Sequence, residues 1–204
     1  MKNLFLLFLI GSFFTDCQSE TQAQQSIEPT KLNTSIVETL ETEPTLVWSD
    51  EFDGATLNLD NWTYELGDGC PNLCGWGNNE LQEYTDDNHR LEDGMLIISA
   101  KKGSNNKYTS TRIITKGKQE FQYGRIEARV KVPSGAGMWP AFWALGNDIE
   151  TNSWPNCGEI DIVEYVGKNP GQIFTSVHTT SSYGNTINTQ TTPTPNIEDD
   201  FHSY

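Results

Sequence analysis

Apolar and polar residues alternate along much of this chain in short runs separated by turn residues, the pattern of strands that bury one face. The alternation predicts strands at Leu46–Trp48, Trp62–Glu65, Glu80–Thr85, Met95–Ala100 and Thr111–Thr115. It is clearest over Gly124–Val132, where Arg125, Glu127, Arg129 and Lys131 take one side and Ile126, Ala128, Val130 and Val132 the other. Further strands are expected over Met138–Gly146 and Ile173–Thr179, with turns at Asp53-Gly54, Asp93-Gly94, Ser134–Gly137 and Asn169–Gly171. Leucine-rich helical stripes are scarce, and the regular spacing of short strands indicates an all-β sandwich.

One segment breaks the pattern. In Glu159-Ile160-Asp161-Ile162-Val163-Glu164 three carboxylates fall within six residues. Period-two alternation places Glu159 and Asp161 on one face and sends Ile160 and Ile162 into a core. Continued regularly, it would bury Glu164, and an unpaired buried carboxylate is costly. A one-residue β-bulge between Asp161 and Glu164 restores the parity and brings all three acids to one surface. Crowded like charges raise one another's pKa, so one carboxyl stays protonated while another stays ionised. A proton donor and a nucleophile, both carboxyl and about 5–5.5 Å apart, are what glycoside hydrolysis with retention requires. A solvated acidic strand face is the alternative reading of the same letters.

Composition narrows the choice. A net charge of −15 over 204 residues and a pI near 4.4 argue against a nucleic-acid partner, whose phosphates attract basic patches. Of the six tryptophans, Trp139, Trp143 and Trp154 stand near the acidic stretch, where flat aromatic faces suit sugar rings, although each also suits a core. Cys70 and Cys74 flank Pro71-Asn72-Leu73, in position either to close a small disulfide loop or to begin a zinc site, for which no second ligand pair stands at a useful spacing; Cys157 reads as a free, packed thiol. His178 is alone on its strand, and a lone histidine is more often structural than catalytic.

Residues 1–17 read as an export signal: Lys2 gives the positive start, and Leu4–Ile10 is apolar but too short to span a bilayer. Its end resembles a bacterial lipoprotein signal with Cys17 as the lipidated residue, although Asp16 stands where a small residue is preferred. Residues 18–44, rich in Gln, Thr, Ser and Glu without an aromatic, read as a flexible linker. The expected location is the outer surface or periplasm of a bacterium, with a lipid anchor the expected membrane contact, or else the medium.

From about residue 45 onward the chain resembles glycoside hydrolase family 16, in its laminarinase-like branch. The anchor is the acidic hexapeptide, supported by Trp76-Gly77-Asn78-Asn79-Glu80, Tyr123-Gly124-Arg125-Ile126-Glu127 and Gly137–Trp143 in the family's order. The resemblance implies a jelly-roll sandwich of two antiparallel sheets, of the concanavalin A-like type, with substrate across the concave sheet. It implies that Glu159 is the nucleophile, that Glu164 is the acid and then the base, and that Asp161 holds their protonation states apart. Trp139, Trp143 and Trp154 match aromatic positions of the donor side, Asn79 and Arg112 match polar positions near bound sugars, and His178 matches a histidine near the carboxylates. The substrate so implied is a laminarin-like β-1,3-glucan cut by a monomeric enzyme without a cofactor. Relatives acting on marine galactans and non-catalytic glucan-binding modules are the alternatives. Some relatives bind a structural calcium through a late-chain ligand that has no counterpart here, so no metal is expected. Family members continue beyond the position of Tyr204 through further strands, and on that ground the domain reads as C-terminally truncated.

Overall fold

The turn signals and alternating runs fold as strands. The computed structural model describes residues 44–204, and Trp48–Tyr204 form one compact unit. The export signal read over 1–17, Cys17 with it, and the linker up to Glu43 lie outside the described residues.

Among the described residues thirteen short strands follow in order: β1 (Thr63–Glu65), β2 (Gln82–Tyr84), β3 (His89–Glu92), β4 (Met95–Ile98), β5 (Lys101–Lys102), β6 (Tyr108–Ser110), β7 (Arg112–Ile114), β8 (Arg129–Val130), β9 (Ala141–Leu145), β10 (Glu159–Glu164), β11 (Gln172–His178), β12 (Gln190–Pro193) and β13 (His202–Ser203). Among the described residues the only helical stretch is a 3-10 turn at Cys74–Gly77. The fold is the all-β, jelly-roll sandwich type expected. Its largest sheet is antiparallel, in the order β12-β11-β10-β9, and the remaining strands form smaller ladders. One pairing, β2 with β6, is parallel. The turn at Asp93-Gly94 joins β3 to β4 in register, with Glu92 opposite Met95.

The core lies beneath one half of the large sheet. Val132, Val163, Tyr165, Ile173 and Ile197 are buried together, with Val130, Phe142 and Tyr204 packed against them. The Tyr165 hydroxyl donates to Glu198 at 2.5 Å, which gives a buried phenol its partner.

Several expectations are corrected. Leu46–Trp48 forms no strand, and Leu46 and Val47 are exposed. The long alternation over Gly124–Val132 forms a ladder only at Arg129–Val130, because its partner among the described residues is the two-residue β13. Without a facing strand, Ile126 stays exposed, whereas Val132, over the core, is buried. In β4, Ile98 is exposed and its apolar neighbours are half-buried rather than deep in a core. Ile160, expected inside, is 53 % exposed, and Ile162 is half-buried. The residues of this strand and its continuation that do reach the core are Val163 and Tyr165, because Val132, Ile173 and Ile197 gather under that end.

Position within the core decides the cost of losing a side chain. Ile197 is 0 % exposed and Ile187 is 91 % exposed. Urea denaturation is expected to show Ile197→Ala destabilised by about 2–5 kcal/mol, with Ile187→Ala within roughly 0.5 kcal/mol of the parent.

Candidate active site

The acidic strand β10 sits between β9 and β11, so both its edges are hydrogen-bonded and its carboxylates project from an interior strand. The parity break occurs where the spacing of the acids demands one. Against β9, Asp161 faces Trp143 while Val163 faces Phe142, and against β11, Asp161 faces Ser176 while Glu164 faces Phe174. Ile162 and Val163 together occupy the space of one residue, a β-bulge in both registers. Val163 is thereby turned into the core and Glu164 onto the face of Glu159 and Asp161.

Each carboxylate has its own partner. Trp154 donates its indole Nε1–H to Glu159 Oε2 at 2.5 Å. Trp139 donates likewise to Glu164 Oε1 at 2.9 Å. His178, cross-strand from Glu159, lies with Nε2 3.1 Å from Asp161 Oδ2. Its Nδ1 is buried without a partner among the described residues, which favours the tautomer in which Nε2–H donates to Asp161. The other Asp161 oxygen is then free to carry a proton toward Glu159.

Burial and charge shift these groups in one direction. Asp161 is 5 % exposed. Its burial, then the negative charges of Glu159 and Glu164, push its carboxyl up to about 8. Burial likewise raises Glu164, and the Glu159 charge adds to the rise, against the stabilising N–H of Trp139 and, when His178 is protonated, its charge. The cluster therefore retains protons that isolated carboxylates would have lost.

A hairpin between β9 and β10 brings Trp154 to its carboxylate. It closes where Gly146 N–H donates to the Gly158 carbonyl at 3.1 Å. A Cβ at Gly146 would stand 2.0 Å from the Cys157 carbonyl oxygen, so only glycine permits that approach. Cys157 itself is a free, half-buried thiol, and burial raises its pKa.

Trp143, opposite Asp161, joins the carboxylates to a second group of aromatics. The Arg112 guanidinium lies 4.9 Å from the Trp143 ring, 4.6 Å from the Trp76 ring and 6.0 Å from the Tyr84 ring. Its cross-strand neighbour Glu65 forms an ion pair with it at 2.5 Å. Arg112 is thus wedged among tryptophans with its charge already matched. Trp76 comes from the loop after Gly67, where Cys70 and Cys74 form a disulfide and the Trp76 indole donates to the Gly67 carbonyl. Asn79 ends that loop, exposed and with a left-handed φ of 58°.

The structure therefore gathers Glu159, Asp161, Glu164, Trp139, Trp143, Trp154 and His178, and joins Arg112 to them through Trp143. Asn79 stands on the Trp76 loop, which Arg112 contacts through the Trp76 ring. Trp139 reaches the cluster from just before β9 rather than from within a strand. Tyr183 also belongs to this neighbourhood, packed on Trp154. In the sequence it stands only as a lone aromatic in the polar run Thr180-Ser181-Ser182-Tyr183-Gly184.

Chemically, the arrangement offers two carboxyls flanking a third, each outer one held by a neutral N–H donor and bordered by aromatic rings. The family model described as "Glycosyl hydrolases family 16" matches residues 76–204. A laminarinase from Flavobacterium sp. UMI-01 is similar in structure, with a TM-score of 0.76 and 61 % identity over 78 % of this chain and 69 % of that one. A β-glucanase of Rhodothermus marinus is 43 % identical over 170 residues, 78 % of this chain and 57 % of that protein. A glucan endo-1,3-β-glucosidase of Cryptopygus antarcticus is 44 % identical over 143 residues, 65 % of this chain and 50 % of that protein. The chain thus spans about half the length of these two curated relatives.

The raised Asp161 pKa has a consequence for stability. Below the unfolded pKa near 3.8 the group is protonated in both states and contributes nothing to the pH dependence. Between there and about 8 the folded state keeps a proton that the unfolded state has lost, so stability declines as pH rises. Asp161→Asn removes that term. Thermal melts are expected to show the variant gaining on the parent at pH 8 relative to pH 4; an offset independent of pH would contradict the raised pKa.

Proposed function

Because this chain is a member of the glycosyl hydrolases of family 16, we propose that it acts as a retaining endo-β-1,3-glucanase on laminarin-like glucans. The observation that carries the reading is the bulged strand, which sets Glu159 and Glu164 on one face with Asp161 between them and gives each glutamate its own tryptophan N–H. The relatives it matches, a laminarinase, a β-glucanase and a glucan endo-1,3-β-glucosidase, support the substrate.

In the proposed reaction the Glu159 carboxylate attacks the anomeric carbon, and the glycosyl–oxygen bond breaks as Glu164 delivers its proton to the leaving oxygen. Water, deprotonated by Glu164, then releases the sugar from Glu159, and the two inversions sum to retention. The raised pKa of Glu164 suits a group that begins protonated. Protonated Asp161 donates toward Glu159 and withdraws negative charge from between the two glutamates, while His178 fixes the Asp161 orientation. Trp139, Trp143 and Trp154 supply ring faces for the sugars, and Asn79 supplies an amide for hydroxyls at the cleft's edge. Two carboxyls and water suffice for this chemistry, so no cofactor is proposed. Export, lipidation at Cys17 and a monomeric state complete the proposal on the sequence features described above.

The test is hydrolysis of laminarin by the full chain, followed by reducing ends, product sizes and proton NMR of the first anomer formed. Internal cleavage with the β-anomer appearing first is expected. A folded chain that leaves laminarin intact, or releases the α-anomer first, refutes the reading. Glu159→Gln is expected to abolish turnover, and Glu164→Gln to lower kcat by about 10²–10⁴-fold on substrates with poor leaving groups.

Trp139 provides a pH readout. Its N–H stabilises the ionised form of Glu164, so Trp139→Phe raises the Glu164 pKa further. An acid must be protonated to act, and the alkaline limb of the kcat/KM profile is therefore expected to move to higher pH. A downward move, or none, would remove that hydrogen bond from the control of Glu164.

A further inference from the structure

Tyr183 is an aromatic residue left 53 % exposed at the edge of the carboxylate cluster. Its ring meets Trp154 edge-on, with centroids 5.4 Å apart and planes at 80°. Trp154 also packs against His178, at 5.9 Å, and donates to Glu159. One indole ring therefore separates Tyr183 from a carboxylate oxygen of the cluster.

The segment carrying Tyr183 is braced. Thr179 and Ser182 exchange both backbone N–H···O bonds. Ser182 Oγ lies 2.7 Å from the buried Thr186 Oγ1, which donates to the Val177 carbonyl and accepts from the Asn188 N–H. Gly184, with φ at 66°, turns the chain immediately after the tyrosine. A ring mounted on so fixed a base, yet open to water, has met its ordering cost before any ligand arrives, and such surfaces favour binding. Packing on Trp154 leaves about half of the tyrosine open to water.

We propose that Tyr183 is a substrate-positioning residue of the cleft, stacking its open ring against the C–H face of a pyranose beside the one held at the carboxylates. In the same position its ring steadies Trp154 in the orientation that donates to Glu159. The proposal rests on the glucanase reading for the identity of the sugar, but not for the existence of the platform.

Calorimetric titration of the full chain carrying Glu164→Gln, which slows turnover, tests this with laminarihexaose and, separately, agarohexaose. Tyr183→Phe keeps the ring and is expected to bind within about twofold of that parent. Tyr183→Leu keeps apolar bulk against Trp154 but removes the flat face, and Tyr183→Ala removes both. Both are expected to weaken binding roughly three- to tenfold, the scale of one aromatic contact. Leu binding as well as Tyr would reduce the residue to packing, and Phe binding as weakly as Ala would assign the effect to the hydroxyl; either overturns the proposal. If the parent binds only agarohexaose, the glucan reading fails and the same series on that ligand decides Tyr183. If it binds neither, the platform is refuted. With otherwise unaltered chains, Tyr183→Leu should also raise KM on the bound polysaccharide by more than it lowers kcat.

Discussion

The site depends on a conflict between the two-residue period of a β-strand and the five-position offset from Glu159 to Glu164. A regular strand cannot show both residues on one face. The bulge at Ile162-Val163 resolves the conflict, and its effects run in two directions at once. On one side Glu164 joins the acidic surface. On the other, Val163 drops into contact with Val132, Ile173 and Ile197, so the apolar packing that holds the fold also holds the bulge in place. Chemistry and stability thus share one irregular peptide segment. The crowding that results is itself destabilising at high pH, and the structure accommodates it by burying Asp161 with a raised pKa between its neighbours.

Neutral donors govern the charge on this surface. Trp139 and Trp154 each contribute an N–H without adding a positive charge. An arginine there would drive its glutamate permanently toward the ionised form, which suits a nucleophile but not a proton donor. The Arg112 guanidinium is paired with Glu65 and held among the rings of Trp76 and Trp143. Its contribution is to hold Trp76 and Trp143 in one wall through cation–π contacts, an interaction of roughly 0.5–2 kcal/mol per ring.

Much of this was legible in the letters of the chain. The bulge followed from parity and the cost of a buried charge, and it lies where that reasoning puts it. The all-β class followed from alternation, and the Asp93-Gly94 turn from its residue types. What failed were inferences that needed a partner. The alternation at Gly124–Val132 is real, but a ladder requires a facing strand, and among the described residues only His202–Ser203 supplies one. Ile160 has the right parity for a core and remains open because the covering residues gather at the other end of its strand. Tyr183 was invisible for a related reason: its meaning comes from Trp154, twenty-nine positions earlier by the numbering, and no local pattern links the two.

Gly146 has a consequence for how such a cleft can diversify. Its backbone contact with Cys157 pinches the hairpin shut at the sheet and fixes the distance between β9 and β10 whatever lies beyond. Residues past that pinch are decoupled from the register of the carboxylates. Lengthening a surface loop costs little entropy, so apart from Trp154, which donates to Glu159, the hairpin tip is free to lose, gain or exchange side chains while the carboxylates below keep their spacing. Innovation in what the surface grips can therefore proceed separately from conservation of what it cuts with, and one residue without a side chain is the partition between them.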